Sequence, residues 1–126
     1  MRNGRAQTPD ISHDPGLVLA KAVVNAADEL GLSQQDLANI IGVSPASASR
    51  MRDGRYALTG KPFELAVCLV RIFRSLDAIA GSDPQTIRGW MAADNTDLGT
   101  APRAHVQTVA GLIDVMNYLD ANRALT

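Results

Sequence analysis

Residues 32–54, LSQQDLANIIGVSPASASRMRDG, decide how the rest of the chain is read. They predict two short helices joined by a tight turn. Ser33 stands where an N-cap is needed, and Asp36, three residues on, completes a variant of the capping box in which Glu or Gln is usual. Leu32 and Leu37 occupy the two positions of a hydrophobic staple. Gly42 follows Ile41 and has the freedom to adopt the positive φ that ends a helix. Ser44 then caps the second helix, and Pro45 fits its first turn, where no amide hydrogen is needed. Each cap is worth about 1 kcal/mol, a large share for helices of two or three turns. Leu37, Ile40, Ile41, Val43, Ala48 and Met51 face inward, which leaves Ser47, Ser49, Arg50 and Arg52 outside on the second helix.

Two short helices around a Gly-containing turn, the second with small and basic residues outward, make the helix-turn-helix layout. The second helix is then expected in a major groove, with capped helix N-termini toward phosphates. Its reading positions are Pro45, Ala46, Ser47, Ser49 and Arg50. Of these only Arg50 has the reach and paired donors to read a guanine, a contact worth ~1–3 kcal/mol of discrimination. Ala46 suits a thymine methyl, and Arg52 and Arg55 suit the phosphate backbone. The net charge of −1 does not mark a bulk nucleic-acid binder. Local charge does: Arg50, Arg52, Arg55 and Lys61 face only Asp53 in that stretch. The matched positions Gln34, Leu37-Ala38, Gly42-Val43-Ser44, Ser49 and Gly54 resemble the Xre-type, phage-repressor-like helix-turn-helix family. That resemblance implies phosphate contacts from Gln34 and Ser44. So few reading side chains predict modest affinity per monomer, with specificity coming from a dimer or a larger complex.

At 126 residues the chain makes one domain or two small ones. Hydrophobic residues make up 46%, yet only two Phe, two Tyr and one Trp are among them, so Leu, Ile, Val and Ala must carry the packing. That suits an all-α fold. A lone cysteine, Cys68, lies in an apolar run, excludes an internal disulfide and fits a reducing cytoplasm. No signal peptide or membrane-spanning stretch is read. No Gly-rich phosphate loop or metal-spaced Cys/His cluster is present, and His13 and His105 are far apart in sequence. Asp94 and Asp97 fall in a turn, where carboxylates cap and solubilise. Catalysis, a metal and a cofactor are therefore not expected.

In chain order, residues 1–14 read as a flexible arm without periodicity, within which Arg2 and Arg5 are the basic residues. Residues 15–60 form the helix-turn-helix unit, opened by a supporting helix from Pro15 to about Leu30 with Val18, Ala22, Val23, Ala26 and Leu30 at helical spacing. Leu58 is expected to tuck back into the core. Residues 61–126 form a linking helix and a small helical C-terminal unit. In the long helix, Pro62 to Ala80, Leu65, Leu69, Ile72, Leu76 and Ile79 follow the 4-3-4-3 spacing of a lengthwise seam. Phe63, Val67, Val70 and Phe73 form a second apolar line, so the helix needs cover on two sides. One cover is the N-terminal bundle; the other is the C-terminal unit or a second copy of the chain. Asp83-Pro84 starts another helix carrying Ile87, Trp90 and Met91. A polar turn from Asn95 to Pro102 precedes a final helix, about Ala104 to Asn122, whose apolar face includes Val106, Val109, Leu112, Ile113, Val115, Met116 and Leu119.

The segments RIFRSLDAIAG and RGWM, then Asp94-Asn95, Leu98-Gly99 and Pro102, then QTVAGLIDVMNYLDANR, resemble the C-terminal domain of Xre/MbcA/ParS-type antitoxins. Gly99-Thr100 departs from that pattern, which more usually has a Gly pair. The resemblance implies a helix-turn-helix head that represses its own operon by binding operator DNA. It also implies a base that binds a RES-domain toxin, of the class that degrades nicotinamide adenine dinucleotide, over its active site. It further implies a homodimer within a larger toxin–antitoxin complex. Candidate toxin contacts are Trp90, Asn95, Tyr118 and the tail Asn122, Arg123, Ala124, Leu125 and Thr126. The other reading is a stand-alone dimeric repressor with no toxin partner.

Overall fold

A computed structural model of the chain describes residues 13–124. Among them are seven helices: α1 (Pro15–Glu29), α2 (Gln34–Ile41), α3 (Pro45–Arg52), α4 (Gly60–Ile79), α5 (Pro84–Ala92), α6 (Pro102–His105) and α7 (Val109–Ala124). Among the described residues the one piece of β pairing is an isolated bridge, Asn95 to Thr100. The fold is all-α, with a helix-turn-helix unit followed by a helical C-terminal region.

The helix starts follow local chemistry. Ser33 Oγ accepts from the Asp36 amide at 3.0 Å, and the Asp36 carboxylate accepts from the Ser33 amide at 2.9 Å. The variant capping box is thus fully formed. Ser44 Oγ accepts from the Ser47 amide at 3.0 Å, with Pro45 in the first turn. Asp83 accepts from the Thr86 hydroxyl and amide, which together hold its carboxyl below the usual range. Gly42 ends α2 at φ 76°. Asp14, assigned in sequence to the arm, instead caps α1 by accepting from the Gly16 and Leu17 amides at 2.8 and 3.2 Å. Arg2 and Arg5 lie outside the described residues.

The long helix carries the architecture. Its buried side chains Ala66, Leu69, Ile72 and Leu76 pack under α1 and α2 on one side and under α7 on the other. The second cover that the sequence left open is therefore the C-terminal unit. Leu69, Ile72 and Leu76 form the inner part of the predicted seam; Leu65 is half-buried, and Ile79, at the far end, is 38% exposed. Across the α4–α7 contact, Asp120 pairs with Arg71 and accepts from the buried Ser75 hydroxyl at 3.1 Å. One hydrophobic cluster runs from Ala20 and Val23 through Leu58 and Leu69 to Leu112 and Leu119.

Three expectations are corrected. The helix predicted from Ala104 to Asn122 is two helices, because the chain turns between His105 and Val109. Gly111 seats directly on the first: a Cβ there would stand 1.7 Å from the His105 carbonyl oxygen. Thr108 Oγ1 accepts from the Gly111 amide at 3.0 Å and so starts α7. As a result Val109 precedes the packed face and is 58% exposed. Val18, placed on the inner face of α1 by its spacing, is 51% exposed; Ala20, Val23, Val24, Ala26 and Ala27 face the core instead. The long helix opens on Gly60, two residues before Pro62.

Gly111→Ala should therefore lower unfolding free energy by about 3 kcal/mol, the upper end of overpacking costs. Gly89→Ala in α5, where nothing lies within 4 Å of the added carbon, should be neutral or stabilise by up to about 1 kcal/mol. Urea denaturation of both variants checks the contrast.

Candidate functional site

Two surfaces hold the candidate residues. On the first, α2, α3 and the residues flanking α3 present Gln34, Ser44, Ala46, Ser49, Arg50, Arg52 and Arg55 at exposed positions. Ser47 is not with them. It is buried at the start of α3, where its hydroxyl accepts from Ser44 Oγ and Arg50 Nη2 at 3.0 and 3.2 Å. A one-turn offset from Ser44 turns it inward, so it braces the cap.

The arginines are held as well. Arg50 lies over the Tyr56 ring, 5.3 Å from its centroid. Arg52 makes a two-pronged pair with Asp28 on α1 at 3.1 and 3.0 Å, and its Nε donates to Gln34 at 3.3 Å. The Asp28 hydrogen bond pushes the Arg52 guanidinium further up from its ordinary value. Arg52 is thus a strut joining α1, α2 and α3, with both partners of the pair about half exposed. Arg55 pairs with Asp53 at 3.3 Å in the open loop. Sequence reasoning missed the Asp28 and Tyr56 partnerships. Helical phase alone does not say which α1 carboxylate meets an α3 arginine 24 residues away.

The second surface is a cleft of about 200 Å³ between α4, α5 and α7, lined by Leu76, Ile79, Thr86, Trp90, Tyr118 and Asn122 among others. Trp90 and Tyr118 stack with ring centroids 6.3 Å apart and planes 20° from parallel. Both are half-buried, so each ring packs on the core by one part and meets the cleft with the other. Tyr118 donates to Asp97 at 2.8 Å. That hydrogen bond raises the phenol above its ordinary range. Asn122 donates to the Tyr118 carbonyl at 2.8 Å. Three of the candidate toxin contacts, Trp90, Tyr118 and Asn122, are therefore brought together. Asn95 stands beside the same phenol, where its side chain works against the effect of Asp97, while its Oδ1 accepts from the Asp97 and Leu98 amides at 2.9 and 3.2 Å and folds the turn. Gly99 takes φ 82°, leaving Thr100 to close the bridge to Asn95. Arg123 is exposed on the last turn of α7. Leu125, Thr126 and the side chain of Ala124 lie outside the described residues.

The two surfaces are tied together. Gln107 donates to Asp36 at 3.2 Å, and Arg103 approaches the same carboxylate at 3.7 Å. Arg88 on α5 donates to the Asp28 carbonyl at 2.9 Å. No group of three or more metal-ligating side chains is found among the described residues. No helix among them is long and apolar enough to cross a membrane.

Residues 10–71 match the model of the antitoxin Xre-like helix-turn-helix domain, and residues 75–124 match that of the antitoxin Xre/MbcA/ParS C-terminal toxin-binding domain. The chain belongs to the Xre-type antitoxins. The first match takes in α1 to α3 and the first half of α4. The second takes in the last turn of α4, from residue 75, and the whole aromatic cleft, so this antitoxin's central helix reaches into both family domains. Both are antitoxin families, one DNA-binding and one toxin-binding, and neither is an enzyme family. Comparison with curated proteins gives no match.

Of the two tyrosines, Tyr118 should ionise above the ordinary value of about 10 in an ultraviolet pH titration. Asp97→Ala removes the acceptor that favours the neutral phenol, so this titration should move down toward the ordinary value. A titration unchanged by that substitution contradicts the Asp97–Tyr118 contact.

Proposed function

We propose that this antitoxin neutralises a RES-domain toxin that degrades nicotinamide adenine dinucleotide, by seating its C-terminal face over the toxin active site. It represses its own operon through α2 and α3, and it acts as a homodimer within the toxin–antitoxin complex. The observation that carries the reading is the coincidence of the toxin-binding family match with the open cleft walled by Trp90, Tyr118 and Asn122. Rigid aromatic walls with a polar rim are what interface anchors are made of. The resemblance of the QTVAGLIDVMNYLDANR segment supports the RES class of partner.

On this reading Trp90 and Tyr118 are the anchors, Asn122 and Arg123 the polar rim, and Ala124, Leu125 and Thr126 the end that reaches toward the toxin. Asn95 acts indirectly, by shaping the turn that carries Asp97. On the DNA side Arg50 reads a base, Ala46 and Ser49 allow close approach to the groove, and Gln34, Ser44 and Arg55 contact phosphate. Arg52 positions α3 rather than contacting DNA, and Ser47 braces its cap.

The test is co-expression with a RES-domain toxin, with growth and cellular dinucleotide level as readouts. Trp90→Ala should weaken the toxin complex by about 2 kcal/mol or more, roughly thirty-fold, and release toxicity. Arg50→Ala should leave protection intact and weaken operator binding about ten-fold, with relaxed preference at one base pair. Full protection by the Trp90 variant overturns the assignment of the cleft. Unchanged operator affinity and preference in the Arg50 variant overturn that of α3.

A further inference from the structure

Helix α5 has two working sides. Thr86 and Trp90 line the aromatic cleft. Arg88 lies two residues from each, so at 3.6 residues per turn it leaves the helix on the opposite side. There it crosses to the end of α1. Its stem lies over Gly31, where an added Cβ would meet Arg88 Cγ at 3.3 Å, and its Nη2 donates to the Asp28 carbonyl at 2.9 Å. A cation at a helix C-terminus is favourable in itself, which accounts for that hydrogen bond. It does not account for the company the guanidinium keeps.

The Asp28 carboxylate holds Arg52, and Arg52 Nε donates to Gln34, the first residue of α2 and a candidate phosphate contact. Arg88, Asp28, Arg52 and Gln34 thus form one contiguous run from the toxin-binding half to the DNA-facing surface. The charges along that surface are unequally answered. Arg52 is paired with Asp28, and on the other flank of α2 Arg103 approaches Asp36 at 3.7 Å. Arg88 is exposed, its hydrogen bond goes to an uncharged carbonyl, and it makes no ion pair among the described residues. A guanidinium carries five N–H donors, so one bond to Asp28 leaves both charge and donors for an anion. We propose that Arg88 contacts an operator phosphate, which extends the DNA footprint beyond residues 10–71 and onto the toxin-binding domain. Toxin at Trp90 and DNA at Arg88 then occupy opposite sides of α5, so one chain holds both at once. The proposal rests on the operator-binding reading above and deepens it by a contact outside the helix-turn-helix.

Salt separates a phosphate contact from a brace. Each phosphate neutralised steepens the fall of log K with log salt by about 0.9, which at about 0.1 M salt amounts to roughly eight-fold in affinity. The full chain is titrated by fluorescence anisotropy, over a range of salt, onto the duplex immediately upstream of its own coding sequence and onto a scrambled duplex. Arg88→Gln should weaken binding roughly eight-fold at about 0.1 M salt on both duplexes and flatten the slope by about 0.9 for each head bound. Arg88→Lys, which keeps the charge, should restore the slope. Arg74→Gln removes another exposed arginine, beside the first turns of α1 and at the far end from Asp28, and should leave the slope unchanged. Weaker binding of Arg88→Gln with an unchanged slope means that Arg88 only braces α1, and overturns the contact. An equal flattening by Arg74→Gln overturns it too, because the slope then reports total charge. If Arg50→Ala weakens binding and Arg88→Gln does not, the contact fails while the operator-binding reading stands. If the unaltered chain binds neither duplex, both fail.

Discussion

A helix with apolar side chains on two sides has to be covered twice, and that requirement organises the whole molecule. Ala66, Leu69, Ile72 and Leu76 of α4 are buried between α1 with α2 on one side and α7 on the other. Apolar area removed from water is the main favourable term available to a chain with so few aromatics, and here most of it is gathered along a single axis. The polar clip of Arg71, Ser75 and Asp120 fixes the rotation of α7 on α4, which in turn sets where Tyr118 stands relative to Trp90. The cleft is thus a by-product of how the second cover is seated.

What the sequence disclosed well was chemistry that closes within three or four residues. The Ser33–Asp36 capping box, Ser44 and Asp83 as caps before Pro45 and Pro84, and the left-handed Gly42 are legible because each is settled within a single turn of chain. What it hid depends on placement across the fold. The period of α1 does not say whether Val18 or Ala20 faces inward, since both are apolar and only the position of α4 decides. Gly111 looks like a tolerated helical glycine until the His105 carbonyl is found against it. Gly16 is a similar case: a Cβ there would lie 2.5 Å from the Leu58 carbonyl oxygen, so the first turn of α1 is fitted to the loop before α4. For the candidate sites, the residue types were readable while their partners were not, because Arg52 meets Asp28 and Tyr118 meets Asp97 only through tertiary packing.

The DNA-facing surface is economical. Arg50 rests on Tyr56, and an exposed cation–π contact is worth about 0.5–1 kcal/mol. Reaching a base edge gives that up in exchange for ~1–3 kcal/mol of discrimination. On the proposed role of Arg50 the exchange favours the base, by a margin small enough that a single head should read weakly. Arg52, by contrast, already spans α1, α2 and α3 and keeps the reading helix at a fixed tilt.

The carboxylate of Asp36 answers to two masters. It holds the Ser33 amide at the start of α2 and is itself gripped by Gln107 and Arg103 from the far half of the chain. With Arg88 fastened to the Asp28 carbonyl and α4 common to both halves, no hinge separates head from base. Replacing either half by an unrelated sequence would therefore remove the Gln107 and Arg103 contacts to Asp36 and the Arg88 contact to Asp28 together.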